Sequence, residues 1–187
     1  RTFIKSKKNS WINMVNLKKE LSANQTVLLL MKDADYNSEI IKVAKMLKGK
    51  NICYVTTNKT FDALREDFKK RKVNDEQFVF VDAITKSLKK TPDSADQVYF
   101  VSSPGALTEL SLVIGKFLKH EFDYLIFDSL TTLLTYTKIN TASRFTTSLI
   151  DKIKKTKTKA VFYCMDINSH EDLIKQTSMR VDKVVKV

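Results

Sequence analysis

Short apolar runs alternate with helical patterns from Val27 to the end of the chain. The runs cover residues 27–31, 52–55, 78–81, 98–101, 124–127, 160–164 and 181–187. Most are continuous rather than alternating and are rich in β-branched and aromatic residues, the pattern of strands covered on both faces. Helical patterns fill the gaps at 38–47, 60–72, 106–119, 142–155 and 170–179. The first groups Ile40, Ile41, Val43, Ala44 and Leu47, and the second carries Phe61, Leu64 and Phe68 on one stripe. Ser103 followed by Pro104 predicts a helix start, a capping hydroxyl with proline at the first helical position. Strands alternating with helices predict βαβ units in an α/β three-layer sandwich, a mainly parallel sheet with helices on both sides. Residues 85–97 form the one long polar interruption and read as an exposed excursion. No internal repeat or low-complexity linker divides the chain. The reading is therefore one domain over 25–187, preceded by a basic lead over 1–24 that holds the only tryptophan, Trp11.

Composition narrows the function classes. The chain has 187 residues, 43% of them hydrophobic, enough for one continuous core and unlike collagen, coiled coil or disordered sequence. Its three glycines, Gly49, Gly105 and Gly115, lie far apart, which disfavours any glycine-rich loop. The net charge of +12 raises the expectation of an anionic partner. The charge is diffuse, however, with 28 Lys and only 5 Arg, and arginine is the residue whose planar fork grips phosphates and base edges. A solvated lysine surface is the plain reading. The nucleic-acid candidates are Lys69, Lys70, Arg71 and Lys72, then Lys152, Lys154, Lys155, Lys157 and Lys159, and the lead with Lys5, Lys7, Lys8 and Trp11. Cys53 and Cys164 lie inside apolar runs, and neither His120 nor His170 has a partner at metal-ligand spacing. Both thiols read as reduced core residues of a cytoplasmic protein. No run approaches the roughly 18 apolar residues of a membrane span, and no charged-then-apolar leader opens the chain. The start at Arg1 and the end in a strand-like run at Val187 read as a piece of a longer protein.

Ligands of open parallel sheets collect at the carboxyl ends of the strands, so the residues after each run are the candidates for chemistry. Residues 32–39, KDADYNSE, stand where a GxxxxGK[ST] phosphate loop would lie. On that pattern Lys32 and Asn37 take the glycine places, Ser38 the lysine place and Glu39 the place of the metal-binding hydroxyl. A phosphate cradle needs unobstructed N–H groups, a lysine and a hydroxyl, whereas Asp33, Asp35 and Glu39 bring three carboxylates. The segment reads as an acidic strand-to-helix turn whose charges favour the helix N-terminus. Residues 122–129, FDYLIFDS, have the form of a Walker B strand ending in an aspartate able to hold magnesium through water, although such an aspartate also serves as a cap or turn. No GxGxxG, GxSxG, HExxH or calcium-loop spacing occurs. Asp82, Ser102, Ser103, Asp128, Ser129 and Asp166 stand near predicted strand ends, where side chains could converge on a small-molecule pocket or cap helices.

The block FDYLIFDSLTTLLTY, followed by Arg144-Phe145 and TKAVFYCM, resembles the core of the RecA-like ATPases of the circadian-clock KaiC type, common in archaea. SSPGALTELSLVIGKFL is similar to the helix preceding Walker B in that family. The resemblance implies a P-loop NTPase sheet, ATP with Mg2+ as cofactor, and assembly into rings or filaments. Residue by residue, it makes Asp128 the Walker B aspartate and metal ligand, with Ser129 beside it in the nucleotide site. The family carries a complete Walker A where this chain has KDADYNSE, and a catalytic glutamate where it has Thr56-Thr57-Asn58. Those groups position phosphates and activate water. The expectation is thus a degenerate RecA-like domain without catalytic residues and without a cofactor, acting through protein partners as a regulatory or scaffold module. The alternatives are a nucleic-acid-binding RecA-like protein and an ATP-binding protein with an unconventional loop. Homo-oligomers are compatible with all three.

Overall fold

The computed structural model describes residues 16–187. One eight-stranded sheet runs through them: β1 Thr26–Met31, β2 Ile52–Thr56, β3 Phe78–Asp82, β4 Ser94–Ala95, β5 Val98–Phe100, β6 Tyr124–Asp128, β7 Lys159–Met165 and β8 Lys183–Lys186. Their order is β4-β5-β3-β2-β6-β7-β1-β8, and every neighbouring pair is parallel except the short edge pair β4 and β5.

Alternation along each strand sends consecutive side chains to opposite faces, and both faces are covered. Val27, Leu29 and Met31 of β1 join one core, Leu28 and Leu30 the other. The first core is roofed by a helix over 16–23 (α1), by α2 Tyr36–Met46 and by α3 Phe61–Lys70. The second is roofed by α5 Leu107–Phe117, α6 Leu130–Tyr136, α7 Ile139–Lys154 and α8 Glu171–Ser178. This is the expected α/β arrangement of a mainly parallel sheet between two helical layers. Burial on both faces explains why the strands read as continuous apolar runs rather than alternating ones.

Three local readings are corrected. The segment ending at Asn24 is helical over 16–23, and its Leu17 and Leu21 are buried in the first core, a spacing of four that places both on one helix face. Residues 85–97 are mostly exposed but hold a one-turn helix, α4 Thr85–Leu88, and the edge strand β4. Ser103 does not cap α5. The cap is Ala106, and Ser103-Pro104-Gly105 form a separate turn closed by Ala106 N–H donating to the Ser103 carbonyl at 3.1 Å. Packing decides this: a Cβ on Gly105 would lie 3.1 Å from Tyr136 Cβ, so the turn is pressed against the end of α6. The rest of the basic lead, residues 1–15 with Lys5, Lys7, Lys8 and Trp11, lies outside the described residues.

Candidate functional site

β6 delivers Asp128 to the carboxyl end of the sheet with its side chain on the first face, in register with Thr56 of β2. The carboxylate is completely buried. Tyr54, two residues before Thr56 on the same face of β2, donates its hydroxyl to Asp128 Oδ2 at 2.6 Å. Tyr36 donates to Asp128 Oδ1 from the first turn of α2. Asn58 Nδ2 donates to Tyr36 Oη at 2.9 Å and reaches Asp128 Oδ1 at 3.5 Å. The network continues outward, with Thr132 Oγ1 donating to Asn58 Oδ1 and lying 3.1 Å from Ser129 Oγ. The backbone beneath is equally fixed. Thr57 N–H and Oγ1 donate to the Asp128 carbonyl at 2.6 and 3.0 Å, Ser129 N–H reaches Thr57 Oγ1 at 2.9 Å, and the Asp128–Ser129 peptide is cis.

Burial pushes the Asp128 carboxyl above the ordinary carboxylate range, against the hydrogen bonds of Tyr36 and Tyr54 and the charge of Lys59, which favour its ionised form. Burial and the neighbouring aspartate together push the Tyr36 and Tyr54 phenols far up, so both are held as donors. A third phenol, Tyr163 of β7, is buried nearby without a hydrogen-bond partner among the described residues, and burial raises it as well. Burial also lifts the Cys53 thiol to about 12 and the Cys164 thiol to about 11, which keeps both protonated and unreactive at neutral pH.

The loop after β1 is the acidic strand-to-helix turn read from the sequence, but its carboxylates do not gather at Asp128. Asp33 and Asp35 are exposed on a single 3-10 turn, Asp33–Asp35. Glu39 is buried, but its carboxylate is paired with Lys42 one turn along α2. Ser38, in the lysine place, turns its hydroxyl back to the Asp35 carbonyl at 2.8 Å. The residue that enters the site is Tyr36, which the sequence pattern gave no reason to single out. The available signal was the set of tyrosines at or inside apolar strands, Tyr54 and Tyr163, whose hydroxyls must find partners near a strand end.

The remaining strand-end candidates do not converge on Asp128. Asp82 accepts from Phe61 N–H at 2.7 Å, Ile84 N–H at 2.7 Å and Thr85 N–H at 2.8 Å, which makes it a loop anchor. Asp166 is paired with Lys186 at 3.1 Å, and Ser102 is exposed. Beside Ser129 a cleft of about 370 Å3 opens, lined by Asp33, Asn58, Thr132 and His170 together with Leu134, Met165 and Ile167. Another cleft, of about 760 Å3, lies at the opposite, amino end of the strands around Lys50 and Asp123.

The basic candidates separate. Lys69, Lys70, Arg71 and Lys72 close α3 on the first face, whereas Lys152, Lys154 and Lys155 close α7 on the second. Lys70 is paired with Glu66 at 2.7 Å and Lys154 with Asp182 at 3.0 Å, and Lys152 donates to Ser111 Oγ at 2.7 Å. These two segments therefore line no common groove.

Among the described residues no three His, Cys, Asp or Glu side chains gather at metal-binding distance, and no helix is long and apolar enough to cross a membrane. No curated protein matches the chain. Residues 48–187, which include β6, Asp128 and every strand except β1, match a family of unknown function (DUF7504), and the chain belongs to that family.

Proposed function

We propose that this chain is a RecA-like domain whose nucleotide site is closed from within, and that it acts through protein contacts as a regulatory or scaffold module. A nucleotide site of the kind implied by the resemblance requires the loop after β1 to meet the aspartate at the end of β6. The two do meet, through Tyr36, which supports the relationship. The observation that carries the loss of chemistry is that both carboxylate oxygens of Asp128 are held by the chain's own phenols, Tyr36 and Tyr54.

The residues present fit Mg-ATP poorly. A metal-bound water would have to displace a tyrosine hydroxyl from a fully buried carboxylate. The loop 32–39 contains no glycine, so side chains stand where phosphate oxygens need bare N–H groups. In the place of the water-activating glutamate, Thr57 and Asn58 are engaged in holding the Asp128 backbone and Tyr36. A fold that keeps its architecture and fills its site has its surface left as the means of function. The two free, buried cysteines fit a reducing, cytoplasmic setting.

Thermal melts with Mg-ATP, ADP and tripolyphosphate test this reading. A ligand of the native state at 100 times its dissociation constant adds about 2.7 kcal/mol, a shift of a few degrees for a domain of this size. The expected result is no shift with either nucleotide beyond that given by tripolyphosphate. A nucleotide-specific shift that disappears in Asp128→Ala would overturn the proposal.

A further inference from the structure

A second basic surface was not visible as such in the sequence. Between α7 and α8 runs a groove of about 600 Å3. Arg144, Thr147, Ser148, Asp151, Lys152 and Lys155 line it from α7 at steps of three and four residues, which makes them one stripe of the helix. Gln176 and Arg180 form the facing wall, at the end of α8. The lining thus carries four cations against one carboxylate.

Two further observations turn this from a solvated face into a site. Among the described residues Arg144, Lys155 and Arg180 have no carboxylate within ion-pair distance. Arg65, by contrast, is bonded to Asp75 at 2.9 Å and lies over the Phe61 ring. In a chain with 28 Lys and 5 Arg, two arginines face one groove. The second observation is Ser143, which lines the same groove, is 4% exposed, and has a buried Oγ with no hydrogen-bond partner. Buried hydroxyls are rarely left unpaired, and because Ser143 Oγ is closed to solvent, an acceptor oxygen in the groove completes it only when the Ser143 side chain turns outward.

We propose that the α7–α8 groove binds a small, multiply phosphorylated molecule. Guanidinium forks at Arg144 and Arg180 grip separate phosphates from the two walls, and Lys155 adds a point charge. The volume suits a small ligand rather than a duplex. Among the described residues no aromatic side chain lines the groove, so these offer no platform for stacking bases, and the phosphates are what they read. No lining residue touches Asp128, so this inference does not rest on the reading of that site.

Calorimetric titration with tripolyphosphate at low salt tests the proposal on the wild type, on Arg144→Ala/Arg180→Ala, on Lys155→Glu, and on Lys69→Ala/Lys72→Ala as a control on the opposite face. All the substituted positions are exposed, and melting curves verify the fold. The expected loss is about tenfold for each arginine and for Lys155→Glu, with the control within about twofold of wild type. ATP and a short single-stranded oligonucleotide are further arms, both expected to bind no more tightly than tripolyphosphate. The proposal is overturned by absence of tripolyphosphate binding, by unchanged affinity in the arginine variant, or by an oligonucleotide that binds more tightly through the same residues. None of these results would bear on the closed site at Asp128. Conversely, an ATP shift lost in Asp128→Ala would overturn that reading and leave this one standing.

Discussion

Asp128 is a carboxylate kept where burial disfavours its charge. Its folded value stands above that of the unfolded chain, so over the window between the two the native state holds a proton that the unfolded chain has released. Stability from this group is fully present below the ordinary carboxylate range and is lost as pH rises through the raised value. Asp128→Asn keeps the shape, remains able to pair with Tyr36 and Tyr54, and has no charge to bury. The melting temperature of Asp128→Asn relative to wild type should therefore climb from pH 4 to pH 8. The climb is worth up to about 1.4 kcal/mol for each pH unit inside the window. A difference that stays flat across that range would show that the hydrogen bonds, not burial, set the carboxyl's affinity for protons. Either way, the aspartate that sequence reasoning singled out is real as a position and different in its company. FDYLIFDS marks the strand end, but nothing in a linear pattern states that Tyr36 and Tyr54 will close over it, because that contact joins three separate segments.

Elements were more legible than contacts. The apolar runs lie within the seven longer strands because β-branched and aromatic residues buried on both faces leave a continuous signal. Two partial exceptions are the run 98–101, where β5 ends at Phe100, and the run 181–187, where β8 covers Lys183–Lys186. The elements missed are those whose signal is short or ambiguous. β4 has two exposed residues, and α6, LTTLLTY, is a seven-residue helix with three threonines, a residue of low helix propensity. The end of α3 lies inside the helical pattern read over 60–72, and its backbone shows how that helix is closed. Lys72 sits at φ 56°, Lys72 N–H donates to the Lys69 carbonyl at 3.1 Å, and Val73 N–H donates to the Phe68 carbonyl at 2.9 Å. That is a Schellman closure with Val73 buried in the same core as Phe68. Its left-handed position is held by a residue with a Cβ, which is disfavoured there. Lys72→Gly should raise the urea midpoint, by about 1 kcal/mol of stability at constant m. A lower midpoint would mean that the lysine side chain contributes more than its backbone strain removes.

At the scale of the whole molecule, a charge of +12 acts on every conformation that is compact. The ion pairs among the described residues are largely at the surface, where each contributes about 0–1 kcal/mol, so they do little to offset the repulsion of the excess cations. Raising sodium chloride from about 0.01 M to about 0.15 M shortens the screening length from about 30 Å to about 8 Å. The melting temperature should rise by a few degrees over that interval, as differential scanning calorimetry would record. A fall would show that the surface pairs outweigh the net charge.

The sheet order has a consequence for how the chain is made. β1 is held between β7 and β8, pairing Thr26 with Ala160 and Val27 with Lys183. During synthesis at about 5–20 residues per second, the TVLLLM strand leaves the ribosome about 6 to 26 seconds before its first partner, β7, exists. Through that interval it presents two unpaired edges and two apolar faces, and α1 and α2 can cover only one of those faces. A strand one place from the edge of the finished sheet is thus the segment of the nascent chain that waits longest among wrong partners.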